Sequence, residues 1–519
     1  MWTRNSSLLK STLILAASVC LFSGSSVAAQ KGDLKSESPV PFSYFRGEPL
    51  RIGNQIQLLV DDYLIEDRWK LKREVGRVNK FMRNPVIVQD KPWEDAVGGY
   101  PSVLYDDKSG KYLMWYQCFN LSNYFSKEGP SYYVGHAESE DGFNWTKPRL
   151  EGASFGGYER TNVVSAGRGG TRAAGMQVFL NPDQSDPEKR FVMVYIGSSG
   201  IDMSYSPDGR RWADAAKPLF NYHSDFSNHL LWVPEREVWY LYVRSPIRPN
   251  GMGSLPEGLR HTGRRLAVST SPDLDNWSLP RTILYPDELD QPDYDNFYIF
   301  RRHGVFLALY SEMFQEHDRS ETEIHFASSR DGVRWQRTWD REPLVPRGEK
   351  GAFDHGLVAP GTSPPLEVGP NLLIYYYASP VGQYYWFRET GVGVCRLRKD
   401  RFIGHHAGKD TGYLLTRQFI LEGNRLVLNC RALPHPYHKD SDGIRVSIIQ
   451  APDFKSRETR WETAVPGFSL EDCDRIVTDS LTHTVSWNGK SDLNQLKGKA
   501  IYLRFQLKNA DLYTIQIQP

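Results

Sequence analysis

Four aspartates stand just ahead of strand-like runs: Asp95 in Pro92-Trp93-Glu94-Asp95, Asp225 in Asp225-Phe-Ser-Asn-His229, Asp295 in Asp293-Tyr294-Asp295-Asn296, and Asp354 in Phe353-Asp354-His355. A longer acid, Glu312, closes the run in Tyr310-Ser311-Glu312. Asp favours loop ends for plain turn reasons, so each alone is weak evidence. A ring of them at one opening is more specific. There, one carboxyl with a raised pKa can protonate a leaving oxygen while another attacks carbon or activates water, the chemistry that opens a glycosidic bond. Asp95, Asp225, Asp295, Asp354 and Glu312 are therefore the candidate catalytic residues. Trp93 and Tyr294 offer faces for a sugar ring, and Arg172, His229, Arg244 and His355 offer polar contacts. Each also has a plain structural reading: Glu312 as a solvated strand end, Arg172 and Arg244 as ion-pair partners of the aspartates.

These residues can meet only if the chain brings strand entrances to one place, and a repeat predicts that it does. Ser-x-Asp-(Gly/Leu)-x-x-Trp occurs as Ser139–Trp145, Ser206–Trp212, Ser271–Trp277 and Ser329–Trp335, with the tryptophans 67, 65 and 58 residues apart. A fixed period of this size marks a repeat architecture. Each copy follows a β-rich run and precedes a proline, so it reads as a tight turn closed by Asp and opened into the next strand by Trp. Asp141, Asp208, Asp273 and Asp331 are then turn caps, not catalysts. A fifth unit without the motif follows in Asn371–Ala378 and Gly391–Phe402. Five units of four strands describe a five-bladed β-propeller, whose innermost strands begin at one mouth. A propeller must close its ring, because an open edge exposes unpaired backbone. The run from Ile56 to Ile65 is expected to supply the sealing strand.

The chain has 519 residues, 63 basic and 62 acidic, for a net charge of +1. That balance argues against a nucleic-acid or anionic-membrane partner. Arg4 and Lys10 precede the apolar run Leu13–Phe22 and the small residues Ser26-Val27-Ala28-Ala29. This predicts a secretory signal over 1–29, too short to span a bilayer, and an exported protein, periplasmic or extracellular. Residues 30–54 read as a linker and 55–410 as the propeller. From 411 to 519 the strands alternate, as in Arg425–Cys430 and Ala500–Leu507, predicting an all-β chain that ends in a β-sandwich. Export permits disulfides, and Cys430 could pair with Cys473. No metal-ligand spacing occurs, so no cofactor is expected, with a structural calcium in the propeller channel left open.

The five-unit count, the repeated Ser-x-Asp-Gly-x-x-Trp and the appended sandwich resemble the five-bladed propeller glycoside hydrolases of families 32, 43 and 117. The tail Leu496–Phe505 with Ala510–Tyr513 is similar to that of exported family 32-like proteins. The resemblance implies a secreted glycoside hydrolase acting on a plant or algal glycan. Family 43 places an Asp before a Pro on the first innermost strand; here that pair is Tyr100-Pro101, with Asp95 the nearest carboxylate. Two other readings use the same mouth: a sugar-binding propeller without catalysis, and a phosphorylase- or sialidase-type enzyme.

Overall fold

The computed structural model describes residues 49–222, 224–225, 227–246, 264–314, 320–383, 389–433, 442–450 and 463–519. The expected signal segment and most of the expected linker lie outside these residues.

Four blades are antiparallel ladders in chain order, and the third strand of blade four also meets the first strand of blade five through one parallel pair, Thr322 with Leu357. Blade one is Ala96–Asp106, Lys111–Phe119, Tyr132–Ser139 and Val163–Ser165. Blade two is Ala174–Leu180, Phe191–Ile196, Ile201–Ser206 and Ala213–Asp214. Blade three is His229–Val233, Val238–Arg244, Leu266–Ser271 and Arg281–Leu284. Blade four is Asp293–Arg302, Val305–Met313, Thr322–Ser329 and Gln336–Arg337. Blade five is Leu357–Pro360, Asn371–Ser379 and Gly391–Arg398, with Val78–Lys80 as its outermost strand. Middle strands such as Val305–Met313 are buried along their whole length. Blades pack on both of their faces, which is why these runs are mostly apolar.

Polar side chains join the innermost strands around the axis. The Ser102 and Thr362 hydroxyls lie 2.7 Å apart, linking blades one and five. Val178 N–H donates to Ser102 Oγ at 2.9 Å, Leu230 N–H to Gln177 Oε1 at 2.8 Å, and Ser227 Oγ to Phe297 O at 2.9 Å. The ring is thus tied between all neighbouring blades from five through one to four.

The repeat does what its residues predict. Asp141 accepts the backbone N–H groups of Phe143 and Asn144, both at 2.8 Å, and the other three aspartates cap their turns the same way. The glycine has a second reason. The fifth residue of a second strand reaches the turn of the next blade: Trp115 Nε1 donates to Gly209 O at 2.6 Å, Tyr242 Oη to Gly332 O at 3.1 Å, and Tyr375 Oη to Gly142 O at 2.6 Å. A Cβ on Gly209 would stand 2.4 Å from the Trp115 ring. In blade two that fifth residue is Tyr195, which donates to Asp214 at 3.0 Å instead, and the turn it would meet carries Leu274 in place of glycine. The repeat tryptophans themselves are half-buried.

The ring is sealed by Val78–Lys80, not by the run Ile56–Ile65. That run and its neighbours belong to the C-terminal domain. Gln57–Leu58 pairs with Ala510–Gln518, Ile65–Trp69 with Gly412–Thr416, and Lys72–Val75 with Ile403–Ala407. Leu50 and Ile52, in the segment read as linker, lie in the same core. An apolar run matches any open sheet edge, so its sequence could not say which edge it completes. The C-terminal domain is a sandwich of two sheets. One centres on Ala510–Gln518 and Arg425–Ala432, the other on Ala500–Lys508, whose residues alternate in and out. Cys430 and Cys473, which could have paired, both lie in this core as free thiols, as Cys118 and Cys395 do in the propeller.

Candidate active site at the propeller mouth

A cavity of about 210 Å³ opens where the innermost strands begin. Its acidic lining residues are Asp225 and Asp295, its cations Arg172 and Arg264, and its aromatic walls Tyr100, Tyr132 and Tyr377.

Asp295 owes its aim to a bulge. The ladder between the first two strands of blade four pairs Tyr294 with Glu312 and then Phe297 with Tyr310, so Asp295 and Asn296 oppose Ser311 alone. Such a bulge redirects a side chain out of the regular alternation. The Asp295 carboxyl is buried; it accepts Arg264 Nη1 at 2.8 Å and Asn296 Nδ2 at 2.5 Å. Burial lifts its pKa above the ordinary carboxylate value, against the pull of Arg264. Asn296 also donates to Tyr377 Oη at 2.6 Å, fixing that ring in the wall. Behind it Asp293 accepts the Arg264 backbone N–H at 2.6 Å, and burial raises its pKa to about 7.

Asp225 is the exposed partner. Its side chain is 60% accessible and lies 3.3 Å from Arg244 Nη1. Tyr100 holds a left-handed backbone, φ 51°, directly before Pro101, where the blade-one ladder slips between Gly99 and Ser102. That conformation costs a non-glycine residue about 1–2 kcal/mol. It sets the Tyr100 ring 5.3 Å from Tyr377. Burial pushes the phenols of both tyrosines well up, with neighbouring carboxylates adding to the effect.

The structure brings together Asp225, Asp295, Arg172 and Arg244 of the expected set, and separates the rest. Asp95 is half-buried beside Leu121 N–H, with its pKa raised by burial. Asp354 is buried against Lys80 Nζ at 2.6 Å and Tyr376 Oη at 3.0 Å, a structural ion pair. Glu312 points away from the cavity; it accepts Gln291 N–H at 3.0 Å and is lifted to about 7 by burial. Tyr294, on the other face of the strand from Asp295, donates to Asp290 at 3.2 Å within the core. Trp93 is buried, its Nε1 donating to Asn162 at 2.8 Å. His229 is buried 3.1 Å from Ser227, held neutral by burial with a pKa of about 3. His355 Nδ1 lies 3.2 Å from Gly348 O. These entrance loops have buried inner sides as well as open ones, and spacing along the chain does not say which side a residue faces.

Arg264, Asp293, Tyr132 and Tyr377 were not expected. Tyr100 was marked only through its proline. Among the described residues no group of three His, Cys, Asp or Glu is placed to hold a metal ion. A larger cavity, about 670 Å³, lies on the flank beside Trp212 and Leu274, remote from the innermost strands.

No protein-family model matches the chain, and no curated protein matches it. Solved structures are similar to parts of it at low identity. An N-acetylgalactosamine deacetylase from F. plautii, in complex with blood group B trisaccharide, is similar at 14% identity and TM-score 0.43, over 64% of this chain and 97% of that one. A thermostable family-43 glycoside hydrolase is similar at 14% and 0.41, over 60% and 94%. A protein described with the family 130 mannoside phosphorylases, a family that contains glycoside hydrolases targeting β-1,2 mannosidic linkages in Candida mannan, is similar at 14% and 0.38, over 62% and 94%.

Proposed function

We propose that the protein is an exported glycoside hydrolase that cleaves a plant or algal glycan at the propeller mouth, with Asp295 as proton donor and Asp225 as base or nucleophile. The observation that carries this reading is the pair of unlike carboxyls on one cavity. Asp295 is buried and raised in pKa, and Asp225 is open to solvent beside Arg244. Environments that push two carboxyls apart assign acid and base. Asp295 passes its proton to the glycosidic oxygen as the bond to the anomeric carbon breaks. Arg264 and Asn296, already within hydrogen-bond reach, stabilise the carboxylate that remains. Asp225 attacks the anomeric carbon, or takes the proton of the water that does. Tyr100 and Tyr377 wall the sugar. A sialidase-type mechanism through a tyrosine fits less well, because both phenols are raised in pKa and so poor nucleophiles.

The test is a screen of plant and algal glycans for reducing-end release, followed by Asp225→Asn and Asp295→Asn. Each substitution keeps shape and removes the titrating group. Each should lower turnover by about 10²-fold or more with folding intact. Full turnover in both variants would overturn the reading.

A further inference from the structure

We propose that Arg172 makes this cavity selective for an anionic glycan, by taking a carboxylate or sulfate ester carried by the bound sugar. This rests on the reading of the mouth as a carbohydrate site.

Three guanidinium groups stand at the mouth, and two are matched by carboxylates. Arg264 is matched by Asp295 and Asp293, and Arg244 by Asp225. Arg172 has no carboxylate partner and donates no hydrogen bond among the described residues. Its Nε is buried and unpaired. A buried N–H left unmade is costly, so it marks a place where an acceptor is missing. The guanidinium is held in place, lying 4.9 Å from the Tyr132 ring centroid as a cation over an aromatic face. A planar guanidinium fork suits the two oxygens of a carboxylate or sulfate. The acidic residues on the same cavity do not oppose this. Asp225 and Asp295 each have their own cation, which leaves the Arg172 side of the mouth as its positive side.

The experiment is calorimetric binding to wild type, Arg172→Gln and Arg172→Lys, with two matched pairs of probes. One pair is tetragalacturonate and its methyl ester; the other is a sulfated galactan tetrasaccharide and its desulfated twin. Wild type should bind at least one acidic member about 10-fold or more tightly than its neutral twin, and the pair responding tells carboxylate from sulfate. R172Q should lose that preference while binding the neutral twin within about twofold of wild type, and R172K should keep part of it. Binding without acidic preference, a preference that survives R172Q, or no binding to either acidic probe would each overturn the proposal. The outcomes also separate it from the hydrolase reading. An acidic oligosaccharide held through Arg172 but never cleaved sinks the hydrolase alone. Cleavage of neutral glycans with no acidic preference sinks the role of Arg172 alone.

Discussion

Arg264 grips both layers of the site floor: its Nη1 donates to Asp295 at 2.8 Å while its own backbone N–H donates to Asp293 at 2.6 Å. One residue therefore sets the charge balance of the Asp295 carboxyl and of the buried carboxyl behind it. Burial raises both pKa values, and the guanidinium opposes the rise in each.

A pH dependence follows. If Asp295 must be protonated to act, turnover is lost as pH rises through its raised pKa. Arg264→Met removes the opposing charge, so the alkaline limb of kcat/KM should move to higher pH by about 1 unit or more. Maximal turnover should fall, because the carboxylate formed on proton transfer loses its counter-charge. A pH–rate profile on any cleaved glycan checks both effects.

Glu312 supplies a stability prediction that does not depend on catalysis. It is 2% exposed, and burial lifts it from an ordinary 4.5 to about 7. The folded state thus holds a proton that the unfolded state releases. Its contribution is complete below pH 4.5, declines as pH rises, and is gone above about 7. The span is roughly 3 kcal/mol. Asp293 adds the same sign over a wider window, from 3.8 to about 7. Glu312→Gln should flatten the fall in unfolding free energy between pH 4.5 and 7, measured by urea titration at several pH values.

Asp354 should behave in the opposite way to Asp295. Its carboxylate neutralises Lys80, which tethers the sealing strand Val78–Lys80 to blade five. Asp354→Asn should cost about 3 kcal/mol by leaving that ammonium uncompensated. Turnover per folded molecule should be unchanged. A loss of turnover at constant melting temperature would return Asp354 to the list of catalysts.

The turn hooks explain part of what the sequence could say. The period of the Ser-x-Asp-Gly-x-x-Trp units pointed to blade number, because turn chemistry and a half-buried aromatic recur wherever the same packing problem recurs. The mouth was only partly readable. Asp225, Asp295 and Arg172 stand at blade entrances and do meet there, and Arg244, from the end of blade three's second strand, joins them through Asp225. Glu312 and Tyr294 stand equally near an entrance but are paired across the ladder on its core side, just before the bulge that redirects Asp295. Arg264 comes from the start of a third strand, at no entrance, and only the closed ring brings it to Asp295. Gly209→Ala tests the legible part. It places a Cβ against Trp115 at a positive φ of 76°, so destabilisation should exceed the ~1 kcal/mol of an exposed turn glycine. Trp212→Ala, removing a half-buried ring, should cost about 2–3 kcal/mol, below the 3–5 of a fully buried one.

Limited proteolysis tests how the C-terminal domain is built. From sequence, a cut near residues 404–414 would release a fragment starting at the sandwich. The strand pairing predicts otherwise. Ile65–Trp69 is bonded to Gly412–Thr416 and Gln57–Leu58 to Ala510–Gln518, so chain from before the propeller completes both sheets of the domain that follows it. Leu50 and Ile52 fill the same core. A nick in the exposed stretch around Lys409 and Asp410 should therefore give two bands on a denaturing gel but one species by native gel filtration. Separation should require denaturant. Deleting residues 49–75 should expose the edges of both sheets and leave the C-terminal half insoluble, because unpaired strand edges recruit other chains. A C-terminal fragment starting near residue 411 that is soluble, monomeric and cooperatively folded would show that the N-terminal strands are dispensable and that this pairing does not hold the domain together.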